Sequence, residues 1–220
     1  MMAAVGDVTA RVIDTGGDEM GRWSYLLMAG KNNTTIVIIS AYQVVSNTIE
    51  RAGAKTAYAQ QWAQQRQTEA SPNPRKKFRT DLLRQMREWK TQGFHILLTG
   101  DFNEVLGTDP AGLSKIALEF SLTDIMVMRH GLDAEVSSYA RGDNRLDYML
   151  ASPRIAAAVT KCGMEPFNNR LFSDHRGMHA DFDIDILFGN KPAAMAALPY
   201  CDIRSKDASA NTTYIQDLHK

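Results

Sequence analysis

The chain has 220 residues, 44% hydrophobic and 23% charged, the balance of a folded globular protein rather than a disordered one. Lysine plus arginine (25) equals aspartate plus glutamate (25), which excludes a chain-wide basic field and confines any nucleic-acid surface to a local patch. No apolar run approaches the length of a membrane span, Met1 to Asp14 holds no signal-type apolar core, and Cys162 and Cys201 lie outside any metal-ligand spacing. A soluble intracellular protein with free thiols and no membrane partner is the expectation, with the nucleus among the compartments open to it.

Gly21 to Met28 and Thr34 to Ala41 are extended runs separated by Gly30-Lys31-Asn32-Asn33, turn formers that predict a hairpin. Thr35 to Ile39 is β-branched throughout, as expected of a strand covered on both faces, and it delivers Tyr42 at its end. Thr48 to Gln67 predicts a helix with Tyr58 and Trp62 on one face. Ser71-Pro72-Asn73-Pro74 breaks it, and Phe78, Leu82, Met86 and Trp89 mark a second helix ended by Gly93. His95 to Leu98 predicts a buried strand running into Gly100-Asp101, and Pro110 to Phe120 a short helix capped by Asp109. Tyr148-Met149-Leu150 predicts a strand, Ala180 to Phe188 an exposed-face strand, and Ala208 to His219 a terminal helix. Strands alternating with helices and ending in polar residues predict a layered α/β domain over residues 1–188, with a tail over 189–220. Ligands of such sheets sit beyond the strand ends.

Three polar clusters interrupt these apolar stretches: Gly100-Asp101-Phe102-Asn103-Glu104, Arg145-Leu146-Asp147-Tyr148 and Ser173-Asp174-His175. Ionisable groups at the edges of apolar elements are costly unless paired or metal-bound. Asp101 and Asn103, two apart after a strand, can aim a carboxylate and an amide into one pocket, although an Asx turn closing the strand has the same sequence. Asp147 can hold the His175 imidazole in one tautomer, which suits contact with a phosphoryl group; a lone Asp-His pair is also a common surface feature. Arg141, Arg145 and Arg176 lie inside or beside the clusters and are candidate phosphate contacts. The run Arg75-Lys76-Lys77-Phe78-Arg79 reads equally as a nucleic-acid contact or as a solvated helix start.

These three clusters in this order resemble the endonuclease/exonuclease/phosphatase superfamily of abasic-site nucleases, DNase I-like enzymes, phosphoinositide phosphatases and non-LTR retroelement endonucleases, over roughly Val12 to Phe188. The resemblance implies a four-layer α/β sandwich, two mixed sheets flanked by helices. It implies that Asp101 orients or deprotonates the attacking water, that Asn103 holds the scissile phosphate, and that His175, steadied by Asp147, stabilises the pentacovalent state. Asp174 and Asp101 would serve Mg2+ or Mn2+, and the Tyr42 hydroxyl would approach the phosphate. DNA is the implied partner. Tyr42-Gln43-Val44 lacks the family's proline, and this feature, the Gln-rich helix and residues 75–79 resemble retroelement endonucleases. Asp202 to Asp207 and Tyr214-Ile215 resemble the segment leading to a downstream reverse transcriptase.

Family members begin with an asparagine-bearing strand and a strand ending in Gln-Glu, whose glutamate is the principal metal ligand; the chain shows neither, Val12 to Arg22 resembles the hairpin that follows both in the family, and Glu19 falls within it. The expectation is a domain lacking the first strands of its first sheet, with weakened cation binding and reduced or lost activity. Three functions stay open at this point: DNA nicking, hydrolysis of a small phosphoester such as a phosphoinositide, and a catalytically dead binding module.

Overall fold

The β-branched run occupies the middle of a sheet. In the computed structural model, which describes residues 2–131, 136–167 and 173–189, it forms β3 (Thr35–Tyr42), whose Val37 and Ile39 have no solvent exposure. Strand β3 pairs antiparallel with β2 (Trp23–Ala29) and parallel with β4 (His95–Asp101). The predicted hairpin is present, and its turn places Asn32 and Asn33 at φ 58°, left-handed conformations that asparagine tolerates. With β1 (Val12–Gly17), β5 (Thr123–Asp124) and β6 (Asp147–Ala151), the six strands run in the order β1-β2-β3-β4-β6-β5. The sheet is mixed, because β3–β4 is parallel and the other pairs are antiparallel.

Each face of this sheet carries its own core. On one face Trp23, Val37, Ile39, Ile96, Leu98, Tyr148 and Leu150 meet Phe78, Leu82, Met86 and Trp89 of α2 (Pro74–Thr91) and Leu113 and Ile116 of α3 (Leu113–Glu119). Burying side chains of this size contributes about 1.5–3 kcal/mol each. On the other face Met28, Ile36, Leu97, Met149 and Ala151 meet α4 (Ile125–His130), α5 (Pro153–Ala157) and a second sheet of β7 (Val159–Met164) and β8 (Met178–Phe182). Two sheets face to face, with helices flanking the larger one, make the α/β sandwich that the resemblance implies. Among the described residues the second sheet is a two-stranded antiparallel ladder, narrower than the mixed sheet expected.

Four elements depart from the sequence reading. Helix α1 spans only Ala57–Gln65, because residues 48–52 form a turn and Thr56 caps the helix, its hydroxyl accepting from the Ala59 amide. Pro74 opens α2 rather than extending the break, and Asn73 is the cap. Helix α3 starts at Leu113, not Pro110: Asp109 closes a separate turn by accepting from the Ala111 and Gly112 amides, and the Leu113 amide donates to Glu104. The expected strand from Ala180 to Phe188 ends at Phe182, where Asp183 caps a short helix, α6 (Ile184–Leu187), by accepting from the Asp185 and Ile186 amides. The predicted helix at Ala208 to His219, the segment 202–215 and Cys201 lie outside the described residues; Cys162 is a free, buried thiol.

Candidate active site

Strand register brings the clusters together. Tyr42 at the end of β3 stands opposite Asp101 at the end of β4, and Asp101 stands opposite Asp147 at the start of β6. Three polar residues thus sit side by side at one edge of the sheet, each on an element anchored in the core. Gly100 permits this alignment: its φ is 142°, and a Cβ there would collide with the Ala41 carbonyl of the neighbouring strand.

His175 reaches the same edge on a loop. It bridges to Tyr139 in antiparallel fashion, the Ala140 amide donates to Asp174 O, and the Arg176 amide donates to Ser138 O. Ser138, fully buried, accepts from the Leu146 amide at 2.8 Å and from the Asp147 amide at 3.1 Å, so it ties this loop to the start of β6. The Tyr139 ring packs on the imidazole with centroids 5.0 Å apart.

Asp147 Oδ2 lies 2.8 Å from His175 Nδ1, and Asp101 Oδ2 lies 4.0 Å from Nε2. A carboxylate can only accept, so the Nδ1 proton belongs to the Asp147 bond and Nε2 is the nitrogen left to face a ligand. Burial draws the His175 pKa down, but the Asp147 hydrogen bond and the charges of Asp147, Asp101 and Asp174 outweigh it and leave the pKa raised. Asp101 is pushed up to about 6, by burial first and then by the charge of Asp147, against the hydrogen bonds from Asn103 and the pull of His175. Asn103 sits at φ 46°, its backbone amide donates to Asp101 Oδ1 at 2.9 Å, and its side-chain amide donates to Asp101 Oδ2 at 3.1 Å and to Gln43 O at 2.8 Å. The Asx turn that the sequence allowed is present, and the same turn brings the Asn103 side chain to the Asp101 carboxylate.

Asp101, Asp147 and His175 each offer a ligand atom within 4.8 Å of the others, and among the described residues this trio is the grouping suited to a metal ion. A half-buried carboxylate with a raised pKa beside a second carboxylate is a site with surplus negative charge, and it fits a hard divalent cation. Asp174 stands apart, its side chain 46% exposed and 3.8 Å from Arg141. The oxygen atoms that the trio offers are those of Asp101 and Asp147, and Asp174, expected beside Asp101 as a ligand, lies outside the trio.

The three arginines divide. Arg145 is not at the surface: its side chain is 1% exposed, ion-paired with Asp124 and placed over the Tyr148 ring at 4.5 Å. Its expected phosphate contact is corrected, because the guanidinium is sealed in the core. Arg141 is 77% exposed at the rim of the site, and the Arg176 guanidinium lies over the Phe167 ring at 4.2 Å. Tyr42 is 40% exposed, and burial together with the charge of Asp101 raises its hydroxyl pKa. Arg75 and Arg79, read as a nucleic-acid contact or a solvated helix start, are neither; both turn inward onto Glu104 at 3.0 and 2.6 Å. Gln43, Ser138 and Tyr139 went unrecognised as parts of the site, and Glu104 stood in its cluster without a role. Gln43 adjoins Tyr42, whereas nothing local marks Ser138.

No family model matches the chain, and no curated protein is significantly similar to it in sequence. Solved structures do share its fold. The Neisseria 3′ phosphatase NExo, solved with a product DNA hairpin, superposes with a TM-score of 0.53 at 19% identity, covering 78% of this chain and 71% of that one. An AP endonuclease from Archaeoglobus fulgidus gives 0.52 at 19% identity over the same shares, 78% and 71%. The AP endonuclease of Leishmania major gives 0.53 at 15% identity, covering 74% of this chain and 55% of that enzyme. The chain thus has the fold of the endonuclease/exonuclease/phosphatase superfamily. Among the described residues no helix is long and apolar enough to cross a membrane.

Proposed function

We propose that this protein is a divalent-cation-dependent phosphodiester hydrolase that acts on DNA. The observation that carries the reading is the convergence of Asp101, Asn103, Asp147 and His175 at one sheet edge, with His175 held between two carboxylates. DNA as the substrate draws support from the sequence resemblance and from neighbours of the same fold that are AP endonucleases or a 3′ phosphatase bound to DNA.

Asp101, with a pKa near 6, is ionised at neutral pH yet basic enough to take a proton from an attacking water. His175, raised in pKa and fixed through Nδ1, donates from Nε2 to a phosphoryl oxygen as charge builds there. Asn103 spends its side-chain amide on Gln43 O and Asp101 Oδ2. A phosphate oxygen that takes over the second of these bonds orients the substrate and frees the Asp101 carboxylate, which increases its basicity. Arg141 at the rim is placed to meet a neighbouring phosphate. Magnesium or manganese, held by Asp101 and Asp147 oxygens, would supply Lewis acidity and neutralise charge on the phosphoryl group.

The narrower assignment to retroelement endonucleases rests on Tyr42-Gln43-Val44, the Gln-rich helix, residues 75–79 and the tail segment 202–215. With Arg75 and Arg79 committed to Glu104, the basic run loses much of its weight in that argument.

Conversion of supercoiled plasmid to open circles tests the reading. Nicking is expected with Mg2+ or Mn2+, is lost with EDTA, and falls about 10²- to 10⁴-fold in Asp101→Ala and His175→Ala. Nicking that survives both substitutions would come from a contaminant. Inorganic phosphate released from a small phosphoester or a phosphoinositide headgroup, without nicking, would replace DNA as the substrate. Plasmid binding without either reaction would mark a catalytically dead module.

A further inference from the structure

Glu104 follows Asn103 directly, yet it faces away from the catalytic cluster into the protein. Its side chain is only 6% exposed and accepts four hydrogen bonds. Oε2 takes Gln43 Nε2 at 2.8 Å, Arg75 Nη2 at 3.0 Å and Arg79 Nη2 at 2.6 Å, and Oε1 takes the Leu113 amide at 2.5 Å. Space is reserved for it, since a Cβ on Gly112 would collide with Oε1.

The donors that Glu104 gathers hold the turn around Asn103. Gln43 Nε2 also donates to Phe102 O at 2.6 Å, and Arg75 Nη1 donates to Asn103 O at 3.2 Å and to Val44 O at 2.6 Å. Arg79 Nε donates to Gln43 Oε1 at 3.0 Å, which fixes the flip of the Gln43 amide. The Gln43 carbonyl then accepts from the Asn103 side chain at 2.8 Å. The carbonyls on either side of Asn103's α-carbon, its amide and the β3 end beside it thus answer to one buried carboxylate. Asn103 sits at φ 46°, a left-handed conformation that asparagine tolerates and that these hydrogen bonds select over the alternatives. A buried ionic network is a poor source of stability compared with apolar packing, and its recognised use is to specify one arrangement.

We propose that Glu104 is the positioning residue for Asn103: its carboxylate, through Gln43, Arg75 and Arg79, fixes the 102–104 turn so that the Asn103 amide points at Asp101 and the reacting phosphate. The catalytic consequence rests on the hydrolase reading above; the structural consequence does not.

The isosteric substitution Glu104→Gln removes the charge and two acceptor sites while filling the same space. It is expected to lower kcat about 10- to 100-fold with KM within about twofold. Asn103→Ala added to Glu104→Gln is expected to cost no more than Asn103→Ala alone, because both remove one function. Full activity in Glu104→Gln, a loss confined to KM, or losses that add with those of Asn103→Ala would overturn the proposal. A purely structural role would yield that additive result. Independently of activity, the Asn103 side-chain amide resonance, assigned by its disappearance in Asn103→Ala, should move or broaden in Glu104→Gln. An unmoved resonance overturns the proposal. Should Glu104→Gln fail to fold, Arg79→Lys, which keeps the charge and loses the forked contact to Glu104 and Gln43, carries the same kinetic and resonance expectations. Wild-type protein inert with every cation would defeat the hydrolase reading alone, and the resonance would still decide the positioning.

Discussion

Two ionic clusters lie back to back across the turn at Asn103, and they are built on opposite plans. Behind it, Glu104 and Asp109 meet Arg75 and Arg79, and nearly every polar atom has a partner. In front, Asp101 and Asp147 share one imidazole, and Asp101 is left with its pKa raised to about 6. The charge-matched cluster holds a shape; the charge-mismatched one stores an electrostatic cost that a cation and a phosphate can relieve. Balance marks scaffold here and imbalance marks chemistry, so the comparison can be broken by substitutions that exchange their behaviour.

The largest expected effect on stability lies at a third, fully buried pair. Arg145→Ala strands the Asp124 carboxylate, which also caps α4 through the Met126 amide at 3.0 Å. Removing one partner of such a pair costs about 3–5 kcal/mol. Urea unfolding should register that loss, while the folded fraction nicks DNA at close to the normal kcat. A variant with unchanged stability and lost activity would return Arg145 to the substrate.

Asp101→Asn should do the reverse. A folded-state pKa above the unfolded value means that the native protein binds more protons than the unfolded chain between pH 3.8 and about 6. Wild-type stability from this group therefore falls as pH rises through that window, and the ionised carboxylate is a standing cost above it. Displacement from 3.8 to about 6 corresponds to about 3 kcal/mol. Part of this is offset in the variant by the altered bonds to Asn103, so Asp101→Asn is expected to gain about 1 kcal/mol at pH 8 and nothing at pH 4 while losing activity. Stability curves against pH that run parallel for the two proteins would refute the mismatch.

The pairs that matter differ in how far they could be read ahead. Asp101, Asn103, Asp147 and His175 were legible because each sits at a strand end or in a polar cluster beside an apolar run, and their order matched a known pattern. The central strand was legible from its unbroken β-branched sequence. Arg145 was misread because it shares a cluster with Asp147, while its partner lies 21 residues upstream and is set by the β5–β6 register. Glu104's side-chain donors lie 25 to 61 residues away, on α2 and just past β3, so only the packed fold shows that Arg75 and Arg79 of the basic run face inward. Ala180 to Phe188 was ambiguous for another reason: alternating aspartates suit an exposed strand face and equally supply the cap that starts a helix.

The smallest effect sharpens the edge of the mismatched cluster. Asp174 is exposed and outside the trio, and its carboxylate lies 3.8 Å from Arg141, the range of a surface pair worth about 0–1 kcal/mol. Its charge is only one of the lesser influences raising the His175 pKa. Asp174→Asn should therefore leave stability unchanged, lower the alkaline limb of the pH–rate profile slightly, and keep the Mg2+ concentration for half-maximal nicking within about twofold. A rise of tenfold or more in that concentration would extend the cation site beyond Asp101 and Asp147 to the loop that carries His175, and the boundary between the exposed rim and the catalytic cluster would have to be redrawn to include it.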